Sequence, residues 1–269
     1  MKYALVHDQR SEAEPGLSGL CPVCGAAMVA KCGEVRVWHW AHRGKRQCDR
    51  WWETETDWHR NWKDRFPGEW QEVIQTAENG EKHIADVKTG QDWVIEFQHS
   101  HIKPEERRSR EAFYGDMVWV VDGLRRKRDF KQFMEAVEYG IRISNQPLIV
   151  KVHPLDCRFV QEWSISPVPV FFDFGDEIQP HGLWLLIPLE LDYTAYFALV
   201  GKEDFIGWLR DGVFNPQPFI DRIKAHEQQR AQALRVPNES QQMPMPYIPG
   251  KRGHRFKAGR YPARSRRRF

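Results

Sequence analysis

The stretch KHIADVKTGQDWVIEFQHS, residues 82–100, decides the fold of this chain. Its two ends, KHIADVK and DWVIEFQHS, each predict a β-strand, and the TGQ between them is typical of a hairpin turn. Successive side chains of a strand point to opposite faces. Glu96 and Gln98 therefore share one face of the second strand, while Ile95 and Phe97 point into the other layer.

Asp86 joins this polar face from the first strand. If the hairpin turns near Gly90, Asp86 lies opposite Val94 and one step from Glu96. Two carboxylates this close resist joint ionisation, and a divalent cation stabilises them. Mg²⁺ or Mn²⁺ prefers carboxylate oxygens, with water and a substrate phosphate completing the octahedron. The hairpin therefore predicts a metal site at Asp86 and Glu96, although Asp86 alone would fit an ordinary charge at a strand edge.

The segments on either side of the hairpin are also regular. Upstream, WWETETDWHRNWKDRF (residues 51–66) predicts a helix, and EWQEVIQTA predicts a strand. Downstream, PEERRSREAFYG predicts a helix with Pro104 in its first turn, and MVWVVDG predicts a short buried strand. The predicted order is helix, three strands, helix, strand.

The upstream helix supplies further candidates for the site. Glu55, His59 and Lys63 recur every four residues and so share one helix face, beside Trp58 and Trp62, which would dock the helix on the sheet. Glu55 is a candidate metal or water ligand, and His59 would bind phosphate or shuttle a proton. Lys63 would stabilise charge on the scissile phosphate. The alternative interpretation of the same three residues is a solvated helix face with an ion pair.

The N-terminal region has the composition of a metal-binding module. The chain has five cysteines, four of them in this region: Cys21, Cys24, Cys32, Cys48 and, further on, Cys157. An odd number of cysteines argues against a disulfide framework. Cys21-x2-Cys24 followed by His39-x2-His42 supplies the ligands of a structural Zn²⁺, with Cys32 or Cys48 as substitutes for one histidine. Because residues 1–50 show little helix or strand pattern, we expect a zinc knuckle to hold them together. The alternative is buried reduced cysteines beside a core strand.

Several spaced motifs resemble one known family. The segments CPVCG, WHWAH, ETDWHRNWK, EKHIADV, IEFQHSHI and RRSREAFYGDMVWVVDG are similar to those of the competence protein CoiA-like nucleases, within the PD-(D/E)XK superfamily. The resemblance covers residues 15–125. It implies a restriction-endonuclease-like αβββαβ core in an α/β (α+β) fold, and divalent-metal-dependent DNA cleavage with Asp86 and Glu96 as metal ligands.

The resemblance also assigns roles around this core. Gln98 takes the position at which the superfamily often has lysine, and its neutral amide would orient water or phosphate by hydrogen bonding. His99, Arg107, Arg110 and Tyr114 follow the core motif and would line the path of the DNA. For the two arginines and the tyrosine, a salt-bridged surface helix is the alternative.

The chain divides into four predicted regions. A zinc-knuckle-like module spans residues 1–50, a nuclease core 51–145, a β-rich C-terminal domain 146–225, and a disordered linker with a basic tail 226–269. The last twenty residues hold nine Lys or Arg and no acid, which suits non-specific phosphate contact. Apolar strands in the third region would either bind a protein partner or a second copy, or simply form core.

Bulk composition excludes a membrane protein. With 41% hydrophobic and 29% charged residues, the chain has no apolar run of about 18 residues and no signal-peptide core, so we expect a cytoplasmic protein. We predict a DNA nuclease that uses Mg²⁺ or Mn²⁺ and acts in competence, recombination or phage defence. The alternative is a non-catalytic DNA-binding or adaptor protein on a degenerate nuclease fold.

Overall fold

The protein has a mixed α and β architecture with two sheets, which confirms the predicted fold class. The computed structural model describes residues 1–44, 48–51, 53–176, 180–191 and 193–235. The chain forms two compact units, Met1–Glu227 and Gln228–Phe269. Both sheets lie in the first unit.

A five-stranded antiparallel sheet forms the N-terminal module, in the order β2-β1-β3-β4-β5. Its strands are β1 (Tyr3–Val6), β2 (Gln9–Glu12), β3 (Ser18–Leu20), β4 (Ala27–Lys31) and β5 (His39–His42). Ala4, Met28 and Trp40 are buried at its core. The prediction of little regular structure here was wrong, because strands of three to five residues are too short to display alternation.

The central region has the predicted order of elements, αβββαβ. Its elements are α1 (Asp57–Lys63), β6 (Gln71–Thr76), β7 (Lys82–Lys88), β8 (Val94–Gln98), α2 (Pro104–Tyr114) and β9 (Met117–Asp122). β8 pairs antiparallel with β7 and parallel with β9. The hairpin and its two flanking helices are therefore where the sequence predicted them.

Helix α1 is shorter than the predicted helix over residues 51–66. Thr56 is its N-cap, and the Thr56 side chain accepts a hydrogen bond from the His59 backbone N–H at 3.4 Å. Trp58 and Trp62 dock the helix as predicted, since both indole N–H groups donate to Oδ2 of Asp173, at 2.9 and 2.8 Å. Trp51 lies outside the helix.

The remaining strands extend the same sheet. The elements are α3 (Lys127–Glu138), β10 (Ile141–Asn145), β11 (Leu148–Val152), α4 (Arg158–Trp163), β12 (Val170–Asp173), β13 (Leu183–Leu191), β14 (Thr194–Val200), α5 (Lys202–Asp211) and α6 (Gln217–Arg235). The nine strands run β10-β11-β14-β13-β12-β9-β8-β7-β6, with β12 parallel to β9. The domain boundary predicted between residues 145 and 146 falls between two paired strands of this sheet.

Aromatic side chains fill both faces of the nine-stranded sheet. Phe133 and Trp184 belong to one core, and Phe171 and Tyr196 to the other. Trp184 and Tyr196, two aromatic residues of the predicted β-rich region, are 1% and 0% exposed. They are core residues, because alternating apolar positions of a central strand are covered on both faces.

The C-terminal end differs in part from its prediction. Helix α6 continues to Arg235, so residues 226–235, which the composition predicted as the start of a disordered linker, are helical. The predicted basic tail lies outside the described residues. Among the described residues, no helix is long and apolar enough to cross a membrane.

Candidate active site and metal centre

The hairpin register brings the predicted carboxylate pair together. Val87 pairs with Ile95 and Lys88 with Val94, so Asp86 lies beside Glu96 and not opposite Val94 as predicted. The Asp86 backbone N–H donates to Oε1 of Glu96 at 3.2 Å. In return, Asp86 Oδ2 accepts the backbone N–H of the residue after Glu96 at 3.0 Å. The observed register differs from the predicted register by two residues, and it brings the Asp86 and Glu96 side chains closer together.

Glu72 of β6 is a site residue that the sequence analysis missed. The residues on either side of Glu72 pair with those on either side of Asp86, which places Glu72 beside Asp86 in the sheet. Its φ is 47°, a conformation that costs a non-glycine residue energy and is common at functional sites. Its carboxylate accepts the backbone N–H groups of Lys2 and Tyr3 at 2.7 and 3.1 Å. No motif marks it, because the two backbone N–H groups that its carboxylate accepts lie about seventy positions away in sequence.

Lys63 of α1 connects the carboxylates. Its Nζ lies 2.9 Å from Glu55 Oε1, 3.1 Å from Glu72 Oε1 and 3.7 Å from Asp86 Oδ1. Burial alone would lower the pKa of Lys63, but Glu72, Glu55 and Asp86 raise it above its ordinary value. Lys63 is therefore a buried cation beside Asp86, where the helical spacing of α1 predicted it.

Glu55 reaches the site from the segment before α1 and not from the helix face on which it was predicted. Its carboxylate pairs with Lys63 and with Arg60 Nε, the latter at 3.1 Å. Burial favours its protonated form, but Lys63, the amino terminus and Arg60 outweigh burial and lower the pKa of Glu55 to about 2. Glu55 thus holds Lys63 in place as an ion-pair partner.

Glu96 has a carboxyl group with a raised pKa. Arg110 Nη1 donates to Glu96 Oε2 at 2.8 Å. Burial, followed by the charge of Asp86, raises the pKa of Glu96 to about 8, against the opposing effect of Arg110. At neutral pH Glu96 therefore retains a proton unless another cation compensates its charge.

The donor set fits a hard divalent cation. Asp86 and Glu96 border a cavity of about 60 Å³, which is large enough for a few water-sized groups. The cavity is lined by Met1, Asp49, Trp51, Glu53, Glu55, His59, Lys63, Glu72, Ile84, Asp86, Glu96, Phe97 and Arg110. Mg²⁺ usually takes one or two protein carboxylates and fills its remaining positions with water or substrate oxygens. The pocket offers that combination.

Gln98 is buried, and its side chain forms a hydrogen bond with Glu53. Its Nε2 donates to Glu53 Oε2 at 2.8 Å and to the Ser100 carbonyl at 3.0 Å, while its Oε1 has no partner among the described residues. Glu53 lines the cavity and Gln98 does not. Burial opposes ionisation of Glu53, but His59 and Ser100 lower its pKa. The sequence analysis missed Glu53.

His59 links α1 to the end of β8. Its Nδ1 accepts the backbone N–H of Thr56 at 3.4 Å, which leaves the proton on Nε2 to reach the Phe97 carbonyl at 3.1 Å. Glu53 Oε2 lies 3.6 Å from the same Nε2. His59 therefore borders the cavity with both ring nitrogens engaged, and the proton-shuttle role stays a prediction.

The four predicted DNA contacts separate into buried and exposed residues. Arg110 lies on Glu96, and Arg107 is 2% exposed. Burial and the charge of Glu96 raise the pKa of Tyr114 well above its ordinary value. Helical spacing correctly predicted that Arg107, Arg110 and Tyr114 share one face of α2. It did not predict that this face packs against the protein interior. His99 lies at the surface, where its Nδ1 is 2.7 Å from Asp122 Oδ2.

A second centre lies in the N-terminal module. Cys21, Cys24, His42 and Cys48 place one ligand atom each within 4.8 Å of one another, a group that could hold a structural metal ion. His42 Nε2 lies 3.4 Å from Cys24 Sγ and 3.5 Å from Cys48 Sγ. Burial and Cys21 raise the pKa of Cys48 to about 12, so Cys48 needs a cation to join the cluster as a thiolate.

The structure corrects one predicted ligand of this centre. His39 and His42 stand three positions apart on β5, so their side chains point to opposite faces. His39 Nδ1 lies 2.9 Å from the Val37 carbonyl instead. Cys48, one of the substitutes that the sequence offered, takes its place.

Comparison with known proteins identifies this module. Residues 17–50 match the family described as competence protein CoiA, N-terminal domain. The N-terminal module is therefore similar to the N-terminal domain of the CoiA family. The matched residues include all four members of the Cys/His centre. No curated protein and no solved structure matches the chain.

The N-terminal module also contacts the carboxylate pocket. Asp49, directly after the ligand Cys48, accepts the backbone N–H of Ile84 at 3.1 Å and lies 3.1 Å from His83 Nδ1. The Trp51 carbonyl accepts a hydrogen bond from Arg110, the partner of Glu96. The short segment 48–51 and one arginine thus connect the metal centre to the pocket.

Proposed function

We propose that this CoiA-like protein is a divalent-metal-dependent DNA nuclease that processes DNA in competence. The observation that carries the proposal is the meeting of Asp86, Glu96 and the buried cation Lys63 at one cavity. Buried carboxylates with a perturbed pKa in a concave site favour a catalytic role over a purely structural one. The CoiA description of the N-terminal domain supports the biological setting.

Asp86 and Glu96 would hold Mg²⁺ or Mn²⁺. The bound ion would neutralise phosphate charge and lower the pKa of a water molecule so that it can attack the phosphodiester. Glu96 must then lose its proton, and Arg110, already on Oε2, stabilises the resulting carboxylate.

The chain's own residues would prepare the pocket for a phosphate. Lys63 provides a positive charge that the neutral Gln98 cannot. Because Lys63 lies close to Asp86, it would stabilise charge on the phosphate that the metal at Asp86 binds. Gln98 and His59 fix Glu53 at the rim of the cavity, where its carboxylate can accept a proton from water. Cys21, Cys24, His42 and Cys48 would bind a structural Zn²⁺ that keeps Asp49 and Trp51 in place.

A non-catalytic DNA-binding protein is the second candidate. The observation that favours it is that both oxygens of Glu96 already have a protein partner, since one accepts the Asp86 N–H and the other accepts Arg110. A carboxylate so occupied resembles a structural residue. In this case the protein would bind DNA without cutting it.

Cleavage assays separate the two candidates. Purified protein is incubated with linear, nicked and single-stranded DNA in Mg²⁺ or Mn²⁺, with EDTA as the control. The nuclease proposal expects products in at least one metal and none in EDTA. DNA binding without cleavage in either metal would leave the non-catalytic candidate.

A further inference from the structure

A second cavity lies at the start of α2. Its volume is about 50 Å³, and it is lined by His101, Ile102, Pro104, Arg107, Arg125, Glu162 and Trp163. Two of these residues are arginines whose side chains are almost fully buried. Buried guanidinium groups need partners for all their N–H groups, and these two lack some of them among the described residues.

Arg107 is the more buried of the two arginines. Its side chain is 3% exposed, its Nη1 donates to the backbone carbonyl of Glu162, and the Trp163 ring lies 5.4 Å from its guanidinium. Its Nη2 has no hydrogen-bond partner among the described residues. The ring covers the face of the guanidinium, so the unsatisfied part is an N–H edge.

Arg125 has a similar environment. Its side chain is 5% exposed, and its Nη2 lies 3.2 Å from Glu162 Oε2. The Phe159 ring lies 5.5 Å from its guanidinium, and its Nε has no hydrogen-bond partner in the described part of the chain. Two buried arginines with unsatisfied donors therefore line one cavity.

Arginines outnumber acids among the residues that line this cavity. Glu162 is the acidic residue that lines it, and this carboxylate already accepts Arg125, Arg126 and Arg158. Arg107 has a nearby carboxylate in Glu111, whose Oε1 lies 3.3 Å from Nε. An anion with several acceptor oxygens would satisfy the remaining donors and the excess positive charge together.

Ser100 connects this cavity to the carboxylate pocket. Its carbonyl accepts hydrogen bonds from both Gln98 and Arg125, and its N–H donates to Glu53. The residues that face the proposed cleavage site and those that face the second cavity therefore share one short backbone segment.

We propose that Arg107 and Arg125 form a phosphate-binding subsite that holds a backbone phosphate of the DNA strand next to the one that is cut. This inference rests on the proposed nuclease function. The subsite fixes the position of the strand, and it does not read the bases, because its donors meet phosphate oxygens alone.

The first test measures DNA binding without cleavage. A fluorescein-labelled oligonucleotide is titrated by anisotropy, with Ca²⁺ in place of Mn²⁺, against wild type, Arg125→Gln, Arg125→Lys and Arg128→Gln. Arg128 is an exposed arginine nearby and serves as the control for net charge. We expect Arg125→Gln to weaken binding about tenfold and to reduce the salt slope by about one, with a smaller loss in Arg125→Lys. Equal binding by Arg125→Gln and Arg128→Gln would overturn the subsite.

The second test combines a change in the DNA with the Arg125→Gln variant, whose fold is checked by circular dichroism. Single methylphosphonates, which are neutral, replace one phosphate at a time. One position should weaken binding to wild type but add no loss in Arg125→Gln. If no position depends on Arg125, or if inorganic phosphate binds at Arg125 while DNA binding stays unchanged, the proposal is wrong. If one phosphate position depends on Arg125 but the protein never cuts DNA, the proposed nuclease function is wrong and the phosphate-binding subsite is supported.

Discussion

The two candidate centres of this protein are built by different means. The Cys/His centre gathers four soft or borderline ligands within 4.8 Å, from a knuckle, a strand and a loop. The carboxylate pocket takes two hard ligands from paired strands and surrounds them with Lys63, Arg110 and further acids. The first has the closed ligand set of a structural zinc site, whereas the second leaves positions for water and substrate. The difference predicts that one centre supports folding and the other supports chemistry.

Loss of the Cys/His centre should have the largest effect on stability. Cys48→Ser and Cys24→Ser each remove a ligand, and since this module of short strands has a small core, the melting temperature should fall by more than about 10 °C. Zinc content by elemental analysis should fall with it. Cys32→Ser, in the same domain but outside the cluster, is the control. Full zinc content in Cys48→Ser would show that Cys48 is not a ligand.

Lys63→Met should destabilise the pocket without affecting zinc. Removal of this buried cation takes away the partner that Glu55, Glu72 and Asp86 share, which costs about 3–5 kcal/mol of unfolding free energy. Urea denaturation measures the loss. Lys88→Met is matched in chemistry, but Lys88 pairs with Asp92 at the surface and should cost less than about 1 kcal/mol. Equal losses for the two variants would contradict the buried network.

Metal binding at the pocket should depend on pH. The pKa of Glu96 is about 8 without metal, so at pH 7 the cation must displace a proton, and affinity should rise with pH until about 8. Isothermal titration with Mn²⁺ in two buffers of different ionisation enthalpy should show release of about one proton. Glu96→Gln should remove the release. Proton-free binding to wild type would place the metal elsewhere.

His39→Ala should have the smallest effect. His39 contacts the Val37 carbonyl and lies outside the Cys/His cluster, so zinc content should stay unchanged and stability should fall by less than about 1 kcal/mol. His42→Ala, three positions along the same strand, should lose zinc. Loss of zinc in both variants would restore the pair of histidines predicted from the sequence.

Local patterns explain why the sequence located one half of the site. Alternation over residues 82–98 fixed the faces of Asp86 and Glu96, and the four-residue spacing in α1 put Lys63 and His59 near them. The strands and helix downstream were also marked by local signals, with Pro104 at the first turn of α2. Such features depend on neighbours in sequence.

Long-range pairing explains what the sequence did not supply. Glu72 reaches the pocket through a register across β6 and β7 and through contacts to the N-terminal strand. The parallel pairing of β9 with β12, about fifty positions apart, merges two predicted regions into one sheet. Helical spacing grouped Arg107 with Arg110, but the inward direction of that face depends on Glu96 and Trp163, which lie on other elements.

The central claim is that Asp86 and Glu96 hold the metal that cuts DNA. The most direct test measures Mn²⁺ binding and cleavage of the same DNA by wild type, Asp86→Asn, Glu96→Gln and Asp92→Asn. Asp92 is an exposed acid of the same hairpin with a positive φ that asparagine tolerates, so its variant is the matched control. We predict that the first two variants lose Mn²⁺ binding and at least about 100-fold in cleavage, retain zinc, and that Asp92→Asn behaves as wild type. Cleavage at the wild-type rate by Asp86→Asn or Glu96→Gln would contradict the account.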